Sequence, residues 1–323
     1  MNMKKLLSGI KKWFNRLYRA LIVLVSGWNL RKLAKAFVSI AVVFLLAGSY
    51  LWYTRLYLNN DRRFWMAIEN SMATPSVTRT LNSGGTGNKV VQTQQFFFSP
   101  QMATRSHVSY EQKNAVVNTT VETEGLSFVG ADYSRYTSFN TNQKKDDGSS
   151  PNLDSILNKW ESSEYTDEEL DNSRLNYISE HVSLVVFGNF DANTRHEFIR
   201  ELKDNNAYTI TNVTESTEDG RKLLSYSVKV NLKAYTTLLQ KAFTAAGFGE
   251  FPPLNPDNYK EGVTINSGIR VDKNSGEVVG VSFGSRTEVY NGYGIQINVQ
   301  KPDAEFSSGQ LQEFVQQEIG TAL

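Results

Sequence analysis

The chain has 323 residues with 34 Lys and Arg, 33 Asp and Glu, and no cysteine. The missing cysteines exclude disulfides, thiolate metal sites, a cysteine nucleophile and a lipid on an N-terminal cysteine. The near-neutral total hides an asymmetry: residues 1–55 hold ten basic and no acidic residues, which leaves 24 basic against 33 acidic residues beyond them. The basic part suits an anionic lipid surface, and the acidic part argues against nucleic acid as a partner.

Residues 1–35 read as a basic cytoplasmic or interfacial segment. Leu6, Leu7, Ile10, Trp13, Phe14, Leu17 and Leu21 recur at helical spacing, with Lys4, Lys5, Lys11, Lys12, Arg16 and Arg19 on other faces, the pattern of an amphipathic helix lying in a membrane interface. Nineteen uncharged residues follow at 36–54, AFVSIAVVFLLAGSYLWYT. As a helix they would extend roughly 28 Å, close to the hydrocarbon thickness of a bilayer. The nine basic residues up to Lys35 place the N-terminus in the cytoplasm, and Tyr50, Trp52 and Tyr53 suit the opposite interface. The expectation is a single-pass cell-membrane protein with residues 60–323 outside the cytoplasm. Cleavage near Ala47 and Ser49 is the rival, but 35 residues ahead of the apolar run is long for a signal peptide.

Residues 61–72 read as a short amphipathic helix that Pro75 ends. Strand-like segments follow at 76–82, 88–98, 103–112, 114–123 and 126–138, rich in Val, Thr, Tyr and Phe. Residues 140–174 form a polar excursion in which Leu153, Ile156, Leu157 and Trp160 have the spacing of a short docking helix. The region reads as part of one domain, or as a linker between two. Next come a helix at 192–204 capped by Asp191, a strand at 207–213, an alternating strand at 222–231, and a helix at 232–246 capped by Asn231 and closed by Gly247. Three further alternating segments are expected: Val263 to Val271, Val279 to Phe283, and Tyr293 to Val299. Short turns join them as antiparallel neighbours. Ser307 and Gln310 resemble a capping box before a C-terminal helix carrying Leu311, Phe314, Val315 and Ile319. The fold class is α+β: a strongly curved antiparallel sheet with packed lid helices, preceded by the transmembrane helix. Helices with one apolar stripe need the apolar face of that sheet, and a cavity can remain between the layers.

The order resembles the LolA/LppX-like half-barrel family. The matching stretches are FWMAIENSMATPSVTRTL (64–81), LNKW (157–160), YSVKVNLKAYTTLLQKAF (226–243) and IRVDKNSGEVVGVSFG (269–284). The resemblance implies a half-barrel holding a lipid or another apolar ligand in a cavity, here tethered by the helix in place of a lipidated cysteine. Under it, Leu224, Tyr226, Val228, Ile269, Val281 and Ile295 are expected to line the concavity or its base. The alternative is a cell-envelope structural or protein-interaction domain with a filled core.

Nothing points to an enzyme. No HExxH, GxSxG or P-loop pattern is present, and His107, His181 and His196 read as solvated or hydrogen-bonded side chains. No cofactor or metal is expected: Asp272, Asn274 and Glu277 read as turn residues. The stretch 247–256, GFGEFPPLNP, reads as a loop packing its Phe residues, or as a lip over a pocket.

Overall fold

In a computed structural model the described residues are 30–51, 59–145, 147–166, 168–249, 252 and 254–319. The interfacial helix expected within 1–29 lies outside them. The chain divides into two compact units, Met1–Arg62 and Arg63–Leu323. The first contains helix α1 (Leu30–Leu51), whose described side chains, residues 38–50, are all exposed. Among the described residues no helix is long and apolar enough to cross a membrane. Positions 52–54 of the expected span, and the side chains of 36 and 37, fall outside the description.

The second unit is built on one open sheet of twelve strands. In chain order these are β1 (Ser76–Gly85), β2 (Asn88–Phe97), β3 (Ala103–Lys113), β4 (Asn118–Phe128), β5 (Ala131–Thr141), β6 (Glu161–Glu164), β7 (Tyr208–Glu218), β8 (Arg221–Asn231), β9 (Thr264–Asp272), β10 (Val278–Phe283), β11 (Arg286–Asn291) and β12 (Phe306–Ser307). The spatial order is β12-β6-β5-β4-β3-β2-β1-β11-β10-β9-β8-β7, so the two ends of the sheet stay apart and no barrel closes. All pairings are antiparallel except the short β12–β6 contact. A tight turn enforces this for β1 and β2, where Val77 pairs with Phe96; β8 and β9, joined through α5 and a loop, pair Leu224 with Val271, and both pairs put like residues on one face.

Among the described residues the unit also holds the α-helices α2 (Asn60–Ser71, from Arg63 onward), α3 (Leu170–His181), α4 (Ala192–Asp204), α5 (Leu232–Ala245) and α6 (Gln310–Ile319). From Phe64 onward α2 buries Phe64, Trp65 and Ile68. These meet Phe198, Ile199 and Leu202 of α4, Leu238 and Leu239 of α5, and the inward residues of β8 to β10 in one core. Each fully buried large apolar side chain contributes roughly 1.5–3 kcal/mol. The Asp191 carboxylate caps α4 by accepting from the backbone N–H groups of Asn193 (2.9 Å) and Thr194 (3.1 Å). Asn231 does the same for α5 through the Ala234 N–H (3.3 Å).

Three expectations are corrected. Residues 153–160 form turns rather than a helix. Leu153 and Ile156 nevertheless pack against Leu311, Val315 and Ile319 of α6. The polar excursion, in which the sequence showed no other element, contains β6 and the start of α3. The third closing strand is β11, not the segment from Tyr293 to Val299. After Asn291 the chain turns out of the sheet at Gly292 and Gly294, both at positive φ. Both edges of β11 are already occupied, by β1 and β10, so residues 295–299 cannot pair with the strand they follow.

Candidate functional site

The six residues expected to line a concavity do not line the cavity described below. Leu224, Tyr226, Val228, Ile269 and Val281 are at most 2 % exposed and belong to the core. The Phe64 ring lies 5.2 Å from that of Tyr226. Ile295 is 41 % exposed, outside the sheet. Alternation identified a buried face, but that face is filled by helix side chains.

A partly enclosed cavity of about 190 Å³ lies further along the same face, where α2 and α4 no longer cover it. Arg79 of β1, Phe96 of β2 and Tyr290 of β11 form part of its wall. Tyr177 and His181 of α3, and Leu239, Ala242 and Phe243 of α5, form the facing side, with Phe98, Met102, Phe187 and Phe190 supplied by connections. A larger hollow beside α5, about 650 Å³, is more open and is lined by Gln240, Lys241 and Thr244. Phe248 closes one side of the smaller cavity, its ring 5.6 Å from Tyr177. The 247–256 loop therefore packs one of its two Phe residues against the cavity. Phe251 lies outside the described residues.

One wall carries a buried ionic cluster. Glu288 is fully buried. Its Oε2 accepts from the hydroxyls of Ser183 (2.6 Å) and Tyr290. Its Oε1 is held by ion pairs to Arg286 (2.6 Å) and Arg79 (3.8 Å) rather than by an aligned hydrogen bond. Arg79, itself 3 % exposed, donates to Gln94 Oε1 (2.6 Å) and to the Glu180 carbonyl (2.5 Å), and lies 4.9 Å over the Phe96 ring. The hydroxyls of Tyr235 and Tyr208 donate to the carbonyls of Ser183 and Leu184 (2.6 and 2.7 Å). Burial holds the phenols of Tyr235 and Tyr290 well above their ordinary value. Burial, reinforced by Asp132, raises Glu180 against the opposing pull of Arg79.

Three groups in this wall are without a hydrogen-bond partner: Arg79 Nε, the Tyr177 hydroxyl and His181 Nε2. His181 Nδ1 lies 2.7 Å from the Tyr177 carbonyl, and Nε2 is buried with no partner. A carbonyl can only accept, so Nδ1 carries the hydrogen. Burial, with a smaller contribution from Arg79 and against the bond to Tyr177, lowers the His181 pKa to about 4. The ring is therefore neutral at pH 7 and Nε2 is a bare acceptor. The Tyr177 hydroxyl has Thr104 as its polar neighbour, yet neither oxygen is placed for an aligned hydrogen bond. Among the described residues no group of His, Asp and Glu could hold a metal ion. Asp272 accepts from the N–H groups of Asn274 and Ser275 within its own turn.

Of these wall residues the sequence singled out His181, as a solvated or hydrogen-bonded side chain, and the loop that carries Phe248, but not Arg79, Tyr177, Ser183 or Tyr290. Glu288 placed a charge on the buried face of β11 and broke the expected alternation. For α3 a signal did exist: Thr166 and Glu169 are spaced as a capping box, and Glu169 accepts from the Thr166 N–H (3.0 Å) and hydroxyl (2.9 Å).

No family model matches the sequence, and no curated protein does. Among solved structures the chain is similar to LprF from Mycobacterium bovis. That match has 11% identity and a TM-score of 0.34, and covers 75% of this chain and 95% of that one. A porin-like protein from Bacteroides uniformis matches at 9% identity and a TM-score of 0.20, over 68% of this chain and 96% of that one. At these scores neither likeness bears on ligand or activity.

Proposed function

We propose that the protein is a membrane-anchored, extracytoplasmic binding module, not an enzyme, that holds an apolar chain of a lipid-like ligand between its curved sheet and α3 and α5. The observation that carries this reading is the cavity beside Phe98, Met102, Phe187, Leu239 and Phe243, a largely aromatic and aliphatic space that is more enclosed than the hollow on the other side of α5. At about 190 Å³ it exceeds the roughly 150 Å³ apolar cavity that admits benzene and falls short of the ~300–1,000 Å³ pockets of drug-sized ligands. One chain segment or a small ring fits, not a whole multi-chain lipid. The anchor reading is supported by the uncharged run at 36–54, its basic flank, and the exposed Val38, Phe44, Leu45 and Leu46 on α1.

Native mass spectrometry of the full-length chain in octyl glucoside micelles tests the binding reading. Wild type is expected to retain a lipid adduct. Ala242→Phe, which places a ring in the cavity, is expected to lose it. A bare wild-type mass, or the same adduct on the variant, would refute the reading. The chain has no cysteine, so a single Ser216→Cys on the exposed end of β7 tests topology. Labelling of intact cells by a membrane-impermeant maleimide is expected; labelling only after lysis would reverse the orientation.

A further inference from the structure

We propose that β7 is an interaction surface for a second copy of this chain, and that two copies join their sheets edge to edge, antiparallel, about a two-fold axis at Thr214. A strand at the end of an open sheet leaves one row of backbone N–H and C=O groups unpaired, and proteins ordinarily blunt such an edge. The two ends of this sheet differ in that respect. One end is blunted: β12 has two residues and β6 four. The other end is β7, eleven residues long, without Lys, Arg or Pro, and paired among the described residues with β8 alone. Residues 212–218 pair with β8 without interruption.

The hairpin fixes which groups are free. Asp219 and Gly220 both have positive φ, as in the two-residue turn whose preceding carbonyl accepts from the N–H that follows it. Glu218 therefore bonds to Arg221, and alternation directs Ser216, Thr214 and Asn212 toward β8 as well. Val213, Glu215 and Thr217 present their N–H and C=O groups outward. Thr214, Glu215 and Thr217 are exposed and Val213 is half-buried. Among the described residues no backbone hydrogen bond reaches this edge from elsewhere in the chain.

The two charges of residues 212–218 are matched within the chain: Glu215 by Lys273 (2.8 Å) and Glu218 by Arg270 (3.2 Å). A strand that pairs with its own copy must still avoid setting like charges directly opposite. A two-fold at Glu215 would oppose the two Glu215 side chains. A two-fold at Val213 leaves one regular ladder pair, because the next falls on the irregularity between Ile210 and Asn212. A two-fold at Ser216 sets Val213 against Asp219 in the turn. At Thr214, each Glu215 faces the partner's Val213, and these two pairs exchange four backbone hydrogen bonds. Thr211, Val213, Thr214 and Thr217 are β-branched, which suits a paired strand.

The chain has no cysteine, so single replacements report the contact. Across the two-fold, Thr214 meets its own copy as a non-hydrogen-bonded pair with roughly 4.5 Å between Cα atoms, within disulfide reach. Ser216 points to the same face but lies roughly 13 Å along the strand from its copy, too far to bridge. Full-length Thr214→Cys and Ser216→Cys are reconstituted into phosphatidylcholine vesicles, oxidised with copper phenanthroline and separated on non-reducing gels. Each yield is normalised to maleimide labelling of the same cysteine. Thr214→Cys is expected to give about five times more disulfide-linked dimer than Ser216→Cys, or better, since one net hydrogen bond corresponds to about fivefold. Adding Glu215→Pro to Thr214→Cys removes an outward N–H and leaves the β8 ladder intact. It should cut the dimer by about the same factor, with unchanged circular dichroism. The comparison of the two cysteine positions decides by itself should the proline variant unfold. Absent or equal linkage at the two positions, stronger linkage at Ser216→Cys, or undiminished linkage in a folded proline variant would overturn the inference.

Discussion

His181 makes the stability of this protein depend on pH in a direction and size that can be worked out. Its folded pKa is lowered to about 4, against about 6.5 for an unperturbed imidazole. The unfolded chain therefore takes up a proton as the pH falls below about 6.5, while the folded chain resists until about 4. Stability from this residue is fully present above the unfolded value. It is lost progressively through that window, to about 3.4 kcal/mol when complete. Between pH 7.5 and pH 5 the loss comes to about 2 kcal/mol. Glu180, whose pKa is raised by burial, also contributes to the pH dependence. That group acts in the opposite direction, so the comparison must be made against a variant. Urea unfolding of the full-length chain in mild detergent, followed by near-ultraviolet circular dichroism, should show wild type losing about 2 kcal/mol more than His181→Phe over this interval. The aromatic replacement keeps the stacking on Phe96 and Tyr177 and removes the titration. Equal losses in the two proteins would mean that His181 is protonated or solvated in the native state. The assignment of Nε2 as a bare acceptor would then fall.

Arg79→Met strands the fully buried Glu288 with only Arg286 as counter-charge, at a cost of roughly 3–5 kcal/mol. The double variant Arg79→Met/Glu288→Leu should recover part of that loss in thermal melts, because no buried charge is left unpaired, although the Ser183 and Tyr290 hydroxyls, Gln94 Oε1 and the Glu180 carbonyl lose their partners. Equal destabilisation in single and double variants would show that the pair is not coupled. Asp191→Ala removes the α4 cap and should cost about 1 kcal/mol, read as a shift in urea midpoint at unchanged slope. Leu202→Ala, in the core beneath α4, should cost roughly 2–5 kcal/mol. If unfolding is one transition, it should lower the melting temperature seen by α-helical and aromatic signals together.

The elements that the sequence showed plainly share a physical cause. In β8, Leu224, Tyr226, Val228 and Val230 alternate with polar residues because one face packs and the other meets water. Asp191 and Asn231 mark helix starts because their side chains accept the backbone N–H groups that a first turn leaves over. The elements that were missed share a cause too. β11 carries a buried glutamate that Ser183, Tyr290, Arg79 and Arg286 make tolerable, and two of those partners, Ser183 and Arg79, come from distant parts of the chain. The segment after it alternates like a strand, but its pairing depended on an edge that β1 and β10 had already taken.

The sequence by itself determined the local facts: the charge asymmetry, the uncharged run at 36–54, the helix caps and which face of each strand is apolar, because each depends on residues a few positions apart. Only the tertiary structure decided which apolar face is filled and which stays empty. Leu224 and Ile269 looked as suitable for a ligand as Phe98 or Phe243. The difference is that α2 and α4 lie over the first pair, while a gap remains beside the second. Whether an apolar side chain touches a neighbour or a void depends on how separate elements stack, and no periodicity along the chain records that.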